Sequence, residues 1–278
     1  MKKLNHNILM YDSECPLCNA YSQAFIKSGM LDENGRMDYK KMDSDFRSFV
    51  DVERARNEIA LIDIHKKTVT YGIHSLFAII GNSFPYLNFL FKNKYFQVFM
   101  TKIYSFISYN RRVIIGGKNP ESTVGCVPDF SLKYRIYFLI FTVIVSSSIL
   151  NKFSPILGNW WPIPHGWFQE VLLVSGQVIF QLLVLQVISS KISFNKRINY
   201  IGNLMAVSLI GSLLLLPAII FNEIFPELPH AVNILWFSCV VVFMFFEHCK
   251  RVKYNNLPSS LSYTWILYRI LVCSIFCF

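Results

Sequence analysis

The sequence predicts two domains of different class, a mixed α/β domain over residues 1–115 and an all-α membrane domain over residues 134–278, joined by a linker over 116–133. Three observations support this prediction. The chain of 278 residues is 53% hydrophobic and only 16% charged, which is too apolar for a soluble two-domain protein. The apolar excess is confined to the second half of the chain. A turn-rich stretch that begins at Gly116 separates the halves.

The first domain is predicted to contain, in order, a strand, a helix, a strand, a charged helix, a hairpin and two further helices. Alternating and helical apolar patterns indicate these elements. They are Asn7–Tyr11, Cys15–Lys27, Arg36–Met42, Ser44–Ala55, Glu58–Ile64 with Thr68–Tyr71, His74–Ile80 and Lys94–Tyr109. This order predicts a compact α/β sandwich.

The helix predicted over Lys94–Tyr109 carries a broad apolar stripe. Its members are Phe96, Phe99, Met100, Ile103, Tyr104, Phe106 and Ile107. Two interpretations stay open. Either the stripe packs in the core of the domain, or its aromatic side chains rest on a lipid surface together with basic neighbours such as Lys92 and Lys102.

Apolar runs follow the linker at Tyr134–Leu150, Phe168–Ile188, Tyr200–Phe221, Ala231–Phe246 and Ser262–Phe278. A helix needs about 20 apolar residues to cross a bilayer core, and the first, fourth and fifth runs need flanking residues to reach that length. The sequence therefore predicts four to five transmembrane helices. No signal peptide is expected, because Met1 leads into a polar segment that contains acidic residues.

The charges of the loops predict the orientation. Lys196, Arg197 and Arg251 lie in the loops after the second and fourth runs, whereas Glu223 and Glu227 lie in the loop after the third. Because short cytoplasmic loops are enriched in Lys and Arg, the basic loops and the first domain are expected on the cytoplasmic side of an inner or plasma membrane. The net charge of +10 then reflects this rule and attraction to anionic lipids. No nucleic-acid partner is expected.

Two thiols, Cys15 and Cys18, lie between the first strand and the first helix, separated by two residues. Pro16 suits the first helical position, because its missing N–H would be unpaired there. Cys15 is thereby placed at the helix N-terminus, where free N–H groups and the helix dipole stabilise a thiolate. Cys15 is the predicted nucleophile and Cys18 the resolving thiol.

Other interpretations of the two thiols stay open. A structural zinc site would need further ligands at suitable spacing, and His65, His74 and Cys126 are scattered along the chain. Inert thiols are the remaining alternative. We expect no bound metal and no cofactor.

Two acidic residues, Asp12 and Glu14, flank the thiols. Their charges would raise the pKa of a nearby thiol, which opposes the effect of the helix end. Asp12 has two candidate roles: it relays a proton to Cys18, or it is a turn or helix-capping carboxylate. The candidate catalytic residues are therefore Cys15, Cys18 and Asp12.

This segment, with the pattern Y-D-x-x-C-P-L-C-N from Tyr11 to Asn19, resembles the DCC family of predicted thiol-disulfide oxidoreductases. The resemblance includes Tyr71-Gly72 and the run from Tyr109 to Arg112, and it covers about residues 7 to 115. It implies a thioredoxin-like fold and a redox role for Asp12, Cys15 and Cys18. The chain departs from the family in having Ser13 after the aspartate and in lacking a proline between Pro16 and Pro85.

Polar residues interrupt the apolar runs. Gln177 and Gln181 share a helix face, with Glu170 above them. They either hydrogen-bond between helices or form a small-molecule or quinone site. Arg269 in the last run needs a partner such as Glu170 or Glu247, unless that run does not fully span.

Three further cysteines lie after the linker and in the last apolar run. Cys126 follows the linker and is expected to accept the disulfide, to carry a lipid, or to do neither. Cys273 and Cys277 are four residues apart and face the same way, and they are expected to pack between helices.

The expected function is that of a membrane-anchored thiol-disulfide oxidoreductase that exchanges disulfides through Cys15 and Cys18 on the cytoplasmic side. Seven cysteines, an odd number, argue against a structural disulfide framework and for a reducing compartment. Expected partners are protein or small-molecule thiols and disulfides, membrane lipids and a membrane protein. The alternatives are a transmembrane carrier that couples the thiols to a quinone, and a non-enzymatic membrane protein whose thioredoxin-like domain binds a partner through vestigial thiols.

Overall fold

The computed structural model describes residues 2–42, 44–117, 128–160, 166–189, 191–226 and 228–277. The chain divides into two compact units, Met1–Tyr134 and Arg135–Phe278. The first unit combines a sheet with helices and the second is helical. The predicted succession of an α/β domain and an all-α domain is confirmed.

The N-terminal unit is built on a four-stranded mixed sheet with the order β2-β1-β3-β4. The strands are β1 (Asn7–Tyr11), β2 (Arg36–Asp38), β3 (Ala60–Asp63) and β4 (Thr68–Tyr71). The helices are α1 (Pro16–Lys27), α2 (Ser44–Arg47), α3 (Val52–Asn57), α4 (Ile73–Ser83), α5 (Asn88–Phe91) and α6 (Lys94–Ile115). β1 runs parallel to β2 and antiparallel to β3, and β3 and β4 form the predicted hairpin.

The second predicted strand is shorter than expected, and the charged helix is divided in two. The strand predicted over Arg36–Met42 ends at Asp38, whose side chain accepts a hydrogen bond from the Lys40 N–H (3.1 Å) and starts a 3₁₀ turn. The helix predicted over Ser44–Ala55 is two helices, α2 and α3. Asp51 caps the second by accepting a hydrogen bond from the Arg54 N–H (3.0 Å). In both places a short acidic side chain accepts a hydrogen bond from a nearby backbone N–H and begins a new turn or helix.

Both faces of the sheet are covered, because successive side chains of a strand point to opposite faces. Met10 and Ile62 pack with Tyr39 and Met42 on one face. Leu9 and Leu61 pack on the other, where α1, α4 and α6 contribute Phe25, Leu76 and Tyr104 among others. The helices α1, α4 and α6 therefore pack against the same face of the sheet.

Part of the apolar stripe of α6 packs into the domain, and part of it is exposed. Phe96 stacks on Phe77 of α4 with ring centroids 5.8 Å apart. The Tyr104 hydroxyl accepts a hydrogen bond from the Ile59 N–H (2.7 Å). Phe99 and Ile103, however, are exposed. Core packing is confirmed for the first two residues and wrong for the other two.

The C-terminal unit consists of α7 (Leu132–Phe153), α8 (Trp167–Ile188), α9 (Phe194–Leu213), α10 (Leu216–Ile224), α11 (His230–Tyr254) and α12 (Ser260–Cys277). Four segments within the described residues are long and apolar enough to cross a membrane, by length and composition. They are Leu132–Gly158, Trp167–Ile188, Phe194–Ile224 and His230–Tyr254, whereas the apolar part of α12 is shorter.

The predicted run Tyr200–Phe221 is not one regular helix. It is interrupted between α9 and α10 at Leu214 and Leu215. Pro217 lies in the first turn of α10, where its lack of an N–H is tolerated. The two helices together form one candidate span of 31 residues.

Candidate functional site

The two thiols lie where β1 passes into α1. Cys15 is the N-cap of α1 and Pro16 is its first residue. The Cys15 N–H donates to the Asp12 carbonyl oxygen (3.1 Å), and the Cys15 carbonyl accepts from the Asn19 N–H (3.0 Å). Asp12, Cys15 and Cys18 are therefore brought together by one strand–helix junction.

Cys18 lies in the first turn of α1, close to Cys15 at the N-cap. A hydrogen bond from the Cys18 side chain is the main cause that lowers the pKa of Cys15 from 9.0 to about 6; the backbone of Cys18 and the Arg111 charge also lower it, while burial raises it. The same bond, with burial, raises the pKa of Cys18 far above its ordinary value. The arrangement favours a Cys15 thiolate that accepts a hydrogen bond from a protonated Cys18.

Neither thiol is on the surface. Cys15 is 3% and Cys18 is 4% exposed, although a thiol that attacks a substrate must become accessible. Glu14 and Pro16 on either side of Cys15 are exposed, which places Cys15 directly beneath the surface.

Asp12 acts as a turn carboxylate in this structure. It is 2% exposed, and its Oδ1 accepts a hydrogen bond from the Glu14 N–H (3.0 Å). Its Oδ2 lies 3.6 Å from Nη2 of Arg112. Asp12 and Cys18 also line one narrow cavity with Arg111. The turn role is observed, and the proton relay stays a hypothesis.

The second acidic neighbour, Glu14, points away from the thiols. Its carboxylate forms an ion pair with Lys40, and this contact raises the pKa of Lys40. Both groups are at the surface. Asp12 raises the pKa of Cys15, but it is the last of the five contributions. Asp12 therefore opposes the ionisation of Cys15, as expected, but its effect on the pKa of Cys15 is the smallest of those present.

Arg111 is a site residue that was not among the candidates. It is 4% exposed and donates a hydrogen bond to the Arg56 carbonyl oxygen (3.0 Å). Its positive charge lowers the pKa of both thiols. Sequence spacing could not place a residue of α6 beside Cys15. The resemblance noted for the run Tyr109 to Arg112 was the one available signal.

Two tyrosines complete the surroundings of Cys18. Tyr21 lines the two cavities that Cys18 borders, and burial raises the pKa of Tyr21 well above its ordinary value. Burial likewise raises the pKa of Tyr104 to about 12. Both phenols are therefore protonated at neutral pH and can act as hydrogen-bond donors.

A mainly apolar cavity of about 230 Å³ borders Cys18. Its wall includes Leu17, Tyr21, Phe25, Leu76, Tyr104 and Ile107, with Arg111 as the charged member. The cavity offers space next to the sulfur for an apolar group of a disulfide-bearing molecule.

We expect an Arg111→Gln variant to raise the pKa of Cys15, because a positive charge close to a thiolate favours the charged form. The pH of half-maximal Cys15 alkylation should move up from about 6. A midpoint near pH 7 would make alkylation at pH 6 about fivefold slower. Arg47→Gln, at an exposed position of α2, is the matched control. An unchanged midpoint in the Arg111 variant would show that the guanidinium does not act on the thiol.

Three polar residues that interrupt the second apolar run are buried. Glu170, Gln177 and Gln181 are at most 1% exposed. The Tyr200 hydroxyl donates to Oε1 of Gln181 (2.9 Å), and Nε2 of Gln181 donates to the Leu261 carbonyl oxygen (3.4 Å). Packing between helices is therefore confirmed for Gln181.

The partners of Arg269 differ in part from those expected. Glu247 forms ion pairs with Lys250 and Arg251. The Arg269 guanidinium lies over the Trp265 ring, 5.5 Å from its centroid, and it interacts electrostatically with Glu170. Of the two predicted partners, Glu170 is the one that the structure brings near.

Of the three other candidate cysteines, the structure describes the sulfur of Cys273, which is half-buried in α12. Cys126 and the side chain of Cys277 lie outside the described residues. Within the described ranges, three or more His, Cys, Asp or Glu side chains do not come together in a way that could hold a metal ion.

Residues 9–117 match the family model of the DCC1-like thiol-disulfide oxidoreductases. This range contains Asp12, both thiols and Arg111. Searches of curated proteins and of solved structures found no match. The family match supports a thiol-disulfide redox role for the N-terminal unit.

Proposed function

We propose that this protein exchanges disulfides through Cys15 and Cys18, because residues 9–117 match the family model of the DCC1-like thiol-disulfide oxidoreductases. Cys15 is the attacking thiolate and Cys18 the resolving thiol. The four apolar helices anchor the domain in a membrane, and the dithiol faces the cytoplasm. The supporting observation is the position of Cys15 at the N-cap of α1 with Cys18 in the first turn, where the pKa of Cys15 falls to about 6.

The proposed reaction has two steps. The Cys15 thiolate attacks one sulfur of a substrate disulfide, so that a Cys15–substrate disulfide forms, the substrate S–S bond breaks and the second substrate sulfur leaves as a thiolate that takes up a proton. Cys18 then loses its proton and attacks Cys15 Sγ. The Cys15–Cys18 disulfide forms and the first substrate sulfur is released as a thiol. The protein dithiol is oxidised by two electrons, and the substrate disulfide is reduced by two.

The high pKa of Cys18 suits the second step. A protonated Cys18 stabilises the Cys15 thiolate before attack. Once Cys15 is part of a mixed disulfide, its negative charge is gone and no longer opposes the ionisation of Cys18. Arg111 lowers the pKa of Cys18 as well and so helps to generate the second thiolate.

In a reducing cytoplasm the dithiol is the resting form. A dithiol at rest transfers electrons to substrates, which makes the protein a reductase. Its substrates are protein or small-molecule disulfides, and a cellular thiol must reduce the Cys15–Cys18 disulfide after each cycle.

A redox titration tests this function. The full-length protein in detergent is equilibrated with glutathione buffers of increasing oxidised fraction, quenched with acid and analysed by mass spectrometry. We expect the Cys15–Cys18 disulfide to form in a single two-electron transition. In such a transition, a change of about 30 mV in the potential of the buffer changes the ratio of oxidised to reduced protein tenfold. The transition should disappear in Cys18→Ser. If no Cys15–Cys18 disulfide forms in the most oxidising buffer, the proposed reaction is excluded.

A second candidate function is a non-enzymatic domain with vestigial thiols that binds a partner. The observation in its favour is the burial of Cys15 and Cys18, at 3% and 4% exposure. This alternative predicts no disulfide in the titration and the same partner binding in a Cys15→Ser/Cys18→Ser variant as in the parent protein.

The orientation gives a separate prediction. In a cysteine-free background, a cysteine at Glu223 should react with a membrane-impermeant maleimide in intact cells, whereas one at Asn195 should be protected. Both positions are exposed, and the basic loop near Asn195 is expected to be cytoplasmic. Asn195→Cys must react after permeabilisation, which controls for its accessibility. The reverse pattern would place the dithiol on the outer side.

A further inference from the structure

The N-terminal unit has an exposed apolar surface that its own core does not use. It consists of Tyr86, Phe89, Tyr95, Val98, Phe99 and Ile103, which are 36–87% exposed. We call this set the aromatic face. It spans the segment around α5 and the first half of α6. Large exposed patches of apolar side chains on a protein surface often mark sites of interaction with another protein or a membrane.

The aromatic face follows from the pattern of α6. Tyr95, Phe99 and Lys102 are at positions i, i+4 and i+7 and so lie on one side of the helix. Phe96 and Tyr104 lie on another side and pack into the domain. The helix therefore has two apolar sides, and the fold of its own unit buries one.

The charges around the aromatic face have a single sign. Lys92, Lys94 and Lys102 are exposed, and residues 85–115 contain no Asp or Glu. Long lysine stems can lie along an apolar surface while the ammonium groups reach a polar layer. This combination of exposed aromatic residues and lysines suits an apolar layer that is covered by negative charge.

The chain keeps this surface close to such a layer. α6 ends at Ile115 and the first candidate membrane helix begins at Leu132, so 16 residues, 116–131, connect them. A fully extended chain of that length spans at most about 55 Å. The domain is thus held at a high effective concentration near the membrane, where weak surface binding is sufficient.

We propose that the aromatic face rests on the anionic leaflet of the bilayer in which the C-terminal helices are anchored. The aromatic side chains enter the region between headgroups and acyl chains, and the three lysines contact lipid phosphates. A lipid surface accounts for both features at once, because it offers an apolar layer and negative charge without a shaped pocket. The inference does not depend on the redox chemistry of Cys15 and Cys18.

Tryptophan fluorescence tests the proposal in the full-length protein. The five native tryptophans lie at residue 160 or later, so a Phe99→Trp variant adds one reporter to the N-terminal unit. Nanodiscs are prepared with phosphatidylcholine brominated on its acyl chains, with or without phosphatidylglycerol. The emission of the parent protein is subtracted. Ile64→Trp, at an exposed apolar position in the β3–β4 hairpin, is the matched control.

We expect bromine to quench the Phe99→Trp emission when phosphatidylglycerol is present and to leave the Ile64→Trp emission unquenched. Changing Lys92, Lys94 and Lys102 to Gln should lower the ratio of docked to undocked protein by about fivefold per lysine. Tyr95→Trp, at the most exposed position of the face, should behave like Phe99→Trp and guards against misfolding of one variant.

Three results would overturn the proposal. Red-shifted, unquenched emission in both nanodiscs would show that water covers the face. Blue-shifted emission without quenching would show that a protein surface covers it. Quenching that is equal without phosphatidylglycerol and in the triple lysine variant would exclude recognition of anionic lipid.

Discussion

A Cys18→Ser variant is expected to accumulate substrates bound to Cys15 through a disulfide, and a Cys15→Ser variant to lose both this trapping and turnover. The attacking thiolate is Cys15, whose pKa falls to about 6. Without Cys18 the mixed disulfide has no internal thiol to resolve it. Loss of the nucleophile should lower turnover by more than about a thousandfold. Non-reducing gels and mass spectrometry of the purified protein identify the trapped species.

The control for trapping is Cys239→Ser, which removes an exposed free thiol of α11. It should leave both turnover and trapping unchanged. If Cys18→Ser traps nothing while Cys15 still reacts with small disulfides, the resolving step belongs to another group.

The second large effect is expected for Asp12. Its carboxylate is 2% exposed, accepts the Glu14 N–H and lies near Arg112. Removing one partner of a buried charge pair costs about 3 kcal/mol or more, and Asp12→Ala should destabilise the N-terminal unit by about that much. Asp12→Asn keeps an acceptor for the Glu14 N–H, so it should cost about 1 kcal/mol less. Hydrogen exchange of peptides within residues 7–27 of the full-length protein measures the difference.

Asp12→Asn also tests the electrostatic effect on the thiol. Asp12 raises the pKa of Cys15, so its removal should lower that pKa. Because Cys15 is already mostly ionised at pH 7, its alkylation should change little there and become faster below pH 6.

For the stability prediction, equal hydrogen exchange in Asp12→Ala and in the parent protein would show that the buried carboxylate does not stabilise the fold.

The architecture of the N-terminal unit could be predicted where local pattern and fold agree. β1 has the predicted bounds, Asn7–Tyr11, because its apolar residues serve two buried faces. The predicted bounds were wrong where a side chain binds the backbone. Asp38, for example, ends β2 by accepting a hydrogen bond from the Lys40 N–H. α6 continues six residues beyond Tyr109 to Ile115, where Gly116 in a left-handed conformation ends it.

The part of the candidate site whose residues are close together in the sequence could be predicted. Cys15, Cys18 and Asp12 share one strand–helix junction, so seven consecutive residues place all three. Arg111 lies far away in the sequence, and only the packing of α6 against α1 brings its charge to the thiols. The burial of both sulfurs likewise depends on contacts with other elements. Neither feature has a signature in the spacing of the motif.

The pH dependence of Cys15 alkylation tests the proposed thiolate most directly. The full-length dithiol protein is treated with iodoacetamide between pH 4 and pH 10, and mass spectrometry follows the modification of Cys15. A thiol with a pKa of about 6 is about nine-tenths ionised at pH 7, so the rate should reach half of its maximum near pH 6. A rate that rises only near pH 9, as for an ordinary thiol, would contradict the assignment of Cys15 as the attacking thiolate.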